Sequence, residues 1–283
     1  MEDNKDDNKG LVKDVIISVI IVAIIFLALY AYAQTWPPIV VIESSSMEHG
    51  ESSQIGIIDT GDIVIVKKVY SPEDVVSYVE GRVNGYMSYG DYGDVIIYRC
   101  NGKLIIHRAM VYLHWNGKEW KIRGFENGNY PSWLHVTKDY ISIDGVGFEK
   151  KVVVINIDRN HLDPNKVGAD GFITMGDNNL ARYGGSAYDQ SSAGGFIPIC
   201  QNLVNYEMIV GVARGEIPWM GALKLYITGT NTDEIPPNTT VNMILSIVLL
   251  VGGSFGVDYA IAHRAEIKEK IKKLIHRTKN SEE

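Results

Sequence analysis

The stretch GDVIIYRCNGKLIIHRAMVYL, Gly93 to Leu113, holds two runs of β-branched and aromatic residues, one opened by Gly-Asp and the two divided by Asn-Gly. Such residues suit a pleated, half-buried surface, and the polar breaks cut them to strand length. The pattern continues outward in both directions. Upstream lie IVVIE (Ile39 to Glu43) and GDIVIVKKV (Gly61 to Val69). Downstream come EWKIRGF, KKVVVINI, GFITM (Gly171 to Met175) and EMIVGVARGEI (Glu207 to Ile217), the last a candidate strand pair. Short strands separated by turn residues predict a mainly β, antiparallel barrel or sandwich. The 28 glycines and the excess of Tyr (16) over Phe (6) agree with a loop-rich β domain. The Gly- and Ser-rich stretch Arg182 to Gly195 predicts a mobile loop.

Two apolar runs flank this β region. Val15 to Ala33, VIISVIIVAIIFLALYAYA, carries no charge and matches the ~20 residues that span a bilayer. It is longer than the apolar core of a cleavable signal peptide, and its leader, residues 1–14, is more acidic than basic, so an uncleaved anchor is favoured. Val241 to Ala262 is the second run, broken only near its end by Asp258, which can reach the interface beside His263 and Arg264. Seven Lys and Arg residues follow it in the tail 263–283, and Lys5, Lys9 and Lys13 precede the first run. The positive-inside bias places both ends in the cytoplasm and residues 34–240 outside. In the tail, Ile267, Ile271, Leu274 and Ile275 recur at helical spacing, as in a helix lying on an anionic leaflet. The predicted location is the cell membrane, crossed twice, with the bilayer itself as one partner.

The outer region holds 24 acidic and 17 basic residues, a net of −7 equal to that of the whole chain. An acidic domain lacks the basic footprint of nucleic-acid binding. Cys100 and Cys200 both lie outside, where a disulfide is permitted though not established by sequence. Neither has a Cys or His at metal-ligand spacing, and no metal or cofactor is implied.

Ser44 to Met47, SSSM, follows a strand directly, and alone it would be a common Ser-rich turn. Its company changes the reading. In order come GDIVIV, GDVIIYR, IIHRA with His107 and Arg108, ITMGDNN with Asp177, and VGVARG. This ordered set resembles the type I signal peptidase family, in its archaeal and endoplasmic-reticulum branch, over about residues 15–110 and 170–230. The resemblance implies a signal-peptidase-like β catalytic domain that removes signal peptides from secretory preproteins, with the protein translocation channel as a further candidate partner. It also implies Ser46 as nucleophile and His107 as base, where the bacterial branch uses a lysine.

The chain departs from the family pattern at several points. His49 stands where a Pro is usual, and the run from Met47 to Gly61 is long. The segment between His107 and Gly176 is also long, so Tyr112 to Gly168 reads as an inserted β subdomain. The family's second Asp falls on Tyr183 here, and the next acid is Asp189.

A serine hydroxyl becomes a nucleophile only when a base within hydrogen-bond reach takes its proton. An imidazole can do this and later protonate the leaving amine, while an acid fixes its tautomer. Asp189 is the preferred acid and Asp177 the runner-up, more naturally a brace on Arg108 or nearby backbone. The Ser46 amide and the Ser44 hydroxyl are the candidate oxyanion donors. His49 is a rival base, whereas His114, His135 and His161 read as surface residues. Two other readings stand beside the peptidase: a catalytically silent relative or assembly subunit, and a peptidase dedicated to a narrow substrate such as pilin-like or surface-layer precursors.

Overall fold

Each β-branched run contains a strand in the structure, a computed structural model that describes residues 3–192 and 197–264. Helix α1 (Asp3–Ala33) leads into β1 (Ile39–Val41) and β2 (Ile63–Lys67). Helix α2 (Tyr78–Asn84) and two short strands, β3 (Met87–Ser88) and β4 (Asp91–Tyr92), precede a long hairpin of β5 (Val95–Cys100) and β6 (Lys103–Trp115). The chain continues through β7 (Trp120–Ile122), β8 (Leu134–Val136), β9 (Tyr140–Val146) and β10 (Lys151–Asn156). Helix α3 (Pro164–Val167), β11 (Asp170–Met175), helix α4 (Asp177–Tyr183), β12 (Ile209–Ile217) and helix α5 (Ala222–Thr228) complete this unit, which ends at Pro237. Helix α6 (Thr239–Ala262) belongs to a second unit.

The main sheet is antiparallel in the order β1-β2-β12-β5-β6-β11, with β7 also paired to β6. Its centre is the β5–β6 hairpin. Asn101 and Gly102 both take positive φ, the combination a two-residue hairpin turn demands. β5 is buried on both faces: Val95 and Ile97 pack with Met47, Ile58, Val64 and Val66, while Ile96 and Tyr98 pack with Ala109, Phe172 and Val212. That explains its near-continuous apolar run. Cys100, at the end of β5, is disulfide-bonded to Cys200.

Two expectations need correction, and a third gains detail. EMIVGVARGEI is not a strand pair but the single strand β12, whose first half pairs with β5 and whose second half pairs with β2 across a bulge between Ala213 and Gly215. Gly211 lets it lie close to β2, since a Cβ there would stand 2.3 Å from the Lys67 carbonyl. Within the insertion, β8, β9 and β10 form a three-stranded sheet of their own, in the order β10-β9-β8, which shares a core with the main sheet. Tyr112 to Trp115 are the end of β6 in the main sheet, and Ile141, Ile143, Val153 and Ile155 share one core with Tyr78, Met110, Val111, Leu113 and Ile173. Finally, the Gly- and Ser-rich stretch begins as the last turn of α4, and Ala187 to Ser191 are buried. Residues 193–195, the end of that stretch, lie outside the described residues.

Among the described residues one helix, Val15–Ala33, is long and apolar enough to cross a membrane, and apart from Ala33 at its end it is not buried in the protein. The apolar part of α6 within the described residues, Thr239–Gly253, is shorter. The side chain of Asp258 and residues 265–283, which hold most of the basic tail, lie outside the described residues.

The long link from Met47 to β2 buries acids. Glu48 accepts from the Thr60 amide and hydroxyl, Asp59 from the Gln54 amide, and Asp62 from the amides of Asp59 and Trp219. Burial, only partly offset by these bonds, pushes both Asp59 and Asp62 up to about 7 from an ordinary value of 3.8. In the folded chain they therefore hold protons that the unfolded chain has lost. Their contribution to stability is full below about pH 4 and is lost as pH rises through about 7. Thermal unfolding of the wild type should show the melting temperature falling across that window. Asp59→Asn, which cannot ionise, should flatten the decline, and an unchanged slope would count against this account.

Candidate active site

β6 carries His107 and Arg108 side by side, and a strand sends consecutive side chains to opposite faces. The two residues thus organise two different clusters, and each takes one of the two candidate aspartates.

On one face, His107 Nε2 lies 3.0 Å from Ser46 Oγ, and its Nδ1 lies 2.7 and 2.9 Å from the two carboxylate oxygens of Asp189. A carboxylate only accepts, so Nδ1 carries the ring proton, and Nε2 is left to accept from the Ser46 hydroxyl. Asp189 has no solvent exposure. It is held by the Tyr98 and Thr174 hydroxyls, each donating to Oδ2 at 2.6 Å, and its own amide donates to the Thr174 carbonyl. Tyr98 and Thr174 stand on the strands either side of β6, and the registers Tyr98–Ile105 and Thr174–Ala109 put them on the face of His107. Burial, then the Asp189 charge, pushes the Tyr98 phenol well above its ordinary range, so it stays a donor.

On the other face, Arg108 is fully buried and makes a bidentate pair with Asp177, Nε to Oδ1 at 2.8 Å and Nη2 to Oδ2 at 2.6 Å. Its remaining donors hold the carbonyls of Ser88, Tyr89, Asp91, Tyr92 and Gly93. Burial alone would raise the Asp177 carboxyl, but the Arg108 charge and bonds outweigh it and bring it down to about 2. His49 bonds the same carboxylate at 2.8 Å and stacks on Phe148 at 4.9 Å, so the rival base is turned toward Asp177. His135 and His161 are exposed and paired with Asp144 and Asp158, and His114 is exposed.

Ser46 sits in a single 3-10 turn, Ser45–Met47. Ser44 Oγ is 3.4 Å from Ser46 Oγ, beside the hydroxyl whose attack would create an oxyanion. Gly176 backs the pair: a Cβ there would stand 2.5 Å from the Ser46 carbonyl and 2.9 Å from His107 Nε2. Ser44, Ser46, His107 and Asn179 line an open cavity of about 1280 Å³, walled on one side by Ile39 to Glu43 and on the other by Lys103 to Ile106. Tyr183, at the position of the family's second Asp, lies on its rim and is exposed.

No protein-family model matches the chain, and a search of curated proteins finds no match. The functional reading therefore stands on motif order and geometry.

Of the residues singled out from sequence, Ser46, His107, Asp189 and Ser44 are brought together, and Asp177 is placed with Arg108. The sequence reading missed Tyr98 and Thr174, whose identities look like ordinary strand residues. The register of three strands is the only signal that groups them.

The two acids should separate in mutants. Asp189→Asn puts an N–H donor or a weaker acceptor against Nδ1 and, on the reading of Ser46 as a nucleophile, should lower kcat by about 10³- to 10⁴-fold, with KM little changed. Asp177→Asn breaks a buried ion pair and should cost about 3 kcal/mol of stability, measured by denaturant unfolding, with a smaller effect on rate. The reverse pattern would exchange their roles. Gly176→Ala should lower kcat as well, because the methyl displaces either Ser46 or His107.

Proposed function

We propose that this chain is a membrane-bound serine endopeptidase of the signal peptidase I type, removing signal peptides from secretory preproteins. The observation that carries the reading is the Ser46–His107–Asp189 line opening onto a cavity bordered by two unpaired strand edges. Among the described residues β1 pairs only with β2. Pro38 and Ile42 direct their backbone bonds to the β2 side, so Ile39 and Val41 turn their N–H and C=O outward. Across the cavity, the first half of β6 pairs, among the described residues, only with β5. An extended peptide can add to such edges by main-chain hydrogen bonds, with alternate side chains entering the walls. Val41, Leu104, Ile106 and Ala187 line those walls and suit small uncharged residues.

Ser46 Oγ attacks the scissile carbonyl while His107 Nε2 takes its proton, and the negative oxygen that forms is met by the Ser44 hydroxyl and the Ser46 amide. His107 then gives the proton to the departing amine, leaving an acyl-serine that water hydrolyses by the same route. Asp189 stabilises the imidazolium throughout.

The membrane setting is part of the proposal. The 13 residues from Ala33 to Ser46 reach at most ~45 Å when fully extended, so the serine works near the bilayer surface. A preprotein cleaved after its own membrane-embedded apolar segment presents its scissile bond at that height. The apolar segment precedes that bond, so the peptide enters from the α1 side and runs parallel to β1. With α6 as a second anchor, both termini are cytoplasmic and the catalytic region is outside. A catalytically silent reading has less support, since nucleophile, base and acid lie at bonding distance.

Detergent-solubilised wild type should cleave a labelled preprotein at one site, and Ser46→Ala and His107→Ala should each abolish that cleavage while keeping the thermal transition. Full activity in either variant would sink the assignment. For topology, protease added outside sealed vesicles should digest the region 34–240 and spare a tag placed after Glu283. Loss of the tag would overturn the two-anchor arrangement.

A further inference from the structure

Ser45, next to the nucleophile, is 3% exposed and has every polar group engaged. Its amide and its hydroxyl both donate to Oε2 of Glu234, each at 2.8 Å. Arg182 Nη1 donates to the same hydroxyl at 2.9 Å, and Asn178 Nδ2 donates to the Ser45 carbonyl at 2.7 Å. Asn231 Nδ2 holds the Glu43 carbonyl at 2.7 Å, and Lys224 pairs with the Glu43 carboxylate at 2.6 Å. The strand-to-turn segment Glu43–Ser46 is thus gripped by α4 and by residues that follow β12, almost two hundred positions away in sequence.

We propose that Glu234 is a positioning residue for the nucleophile, acting through Ser45. The deduction is geometric. A peptide unit is planar, with its C=O and N–H on opposite sides. Asn178 fixes the Ser45 carbonyl, and so fixes the direction of the Ser46 N–H, which lies in the same plane and points the opposite way. Glu234 fixes the preceding amide and the Ser45 side chain, so the turn cannot rotate about Ser45 without breaking both carboxylate bonds. The Ser46 hydroxyl is thereby held 3.0 Å from His107 Nε2, and the Ser46 amide keeps one orientation toward the oxyanion. Ser45 contributes no chemistry of its own; it is the handle by which the C-terminal segment sets the nucleophile. A one-ångström misplacement of a reacting group can cost about 100-fold in rate, which is the scale on which such a clamp acts.

This rests on the peptidase reading, and two readouts keep them separable. The first is preprotein cleavage by the full chain in detergent. Glu234→Ala should lower kcat by about 10- to 100-fold with KM nearly unchanged, because the loss is of alignment rather than of substrate contact. Glu234→Gln keeps an acceptor oxygen and should recover most of that loss. The second readout needs no activity: the ¹⁵N resonance of His107 Nε2 in histidine-labelled protein. Glu234→Ala should move it toward its position in Ser46→Ala, since both weaken the Ser46–His107 bond, and Glu234→Gln should leave it near wild type. A wild-type resonance in Glu234→Ala overturns the proposal whatever the activity. A shifted resonance in a protein that cleaves no preprotein overturns the peptidase reading and leaves the clamp standing. Should Glu234→Ala fail to show a cooperative thermal transition, Ser45→Ala, which removes only the hydroxyl, bears the same test, and wild-type values there overturn the proposal.

Discussion

A carboxylate with no access to water is tolerable only when hydrogen bonds replace its hydration. Asp189 is in that position, and the surrounding fold supplies what it lacks. Tyr98 comes from β5, His107 from β6 and Thr174 from β11, three neighbouring strands whose registers bring all three side chains to one face. The segment carrying Asp189 is tied down further where the Cys200 amide donates to the Asp189 carbonyl and Cys200 is bonded to Cys100 at the end of β5. Given that placement, the imidazole has one tautomer and one orientation, and the position of Ser46 is the remaining variable.

The second acid follows from the same sheet. Because His107 and Arg108 are adjacent on a strand, one cannot share a face with the other. Asp177 therefore neutralises Arg108 rather than serving His107, and Arg108 spends its other donors on the carbonyls of the turn from Ser88 to Gly93. That turn packs the β3–β4 hairpin against β6, so the ion pair braces the strand that bears His107 from behind.

The inserted strands acquire a purpose from their edge. Lys151 donates to the Ala181 carbonyl, and the Val154 amide donates to the Gly185 carbonyl. Gly185 lies so close to β10 that a Cβ would stand 1.9 Å from the Val152 carbonyl. Gly185, Ser186 and Ala187 in turn line the cavity. The insertion thus supports one wall of the site and the approach to Asp189. In the described part of the Gly- and Ser-rich stretch, the small residue Gly185 thus serves close backbone packing.

Sequence alone marked the main strands and the first apolar helix, though not the short helices between them. Runs of β-branched residues between Gly, Asn and Asp have only strand solutions, a charge-free stretch from Val15 to Ala33 has the length of a bilayer, and the order of Ser46, His107 and the GDNN box directed attention to a serine–histidine site. These are local properties, set by period and composition. Tertiary structure decided everything that depends on register and on contacts between distant segments. It assigned Asp189 to His107 and Asp177 to Arg108, a choice that spacing in a single chain leaves open because a loop can fold either way. It merged the insertion into the main core, since burial is shared between strands far apart in sequence. It also brought Glu234 to Ser45, for which no local pattern exists: an acid in a polar stretch before an apolar helix looks solvated until the chain has closed around it.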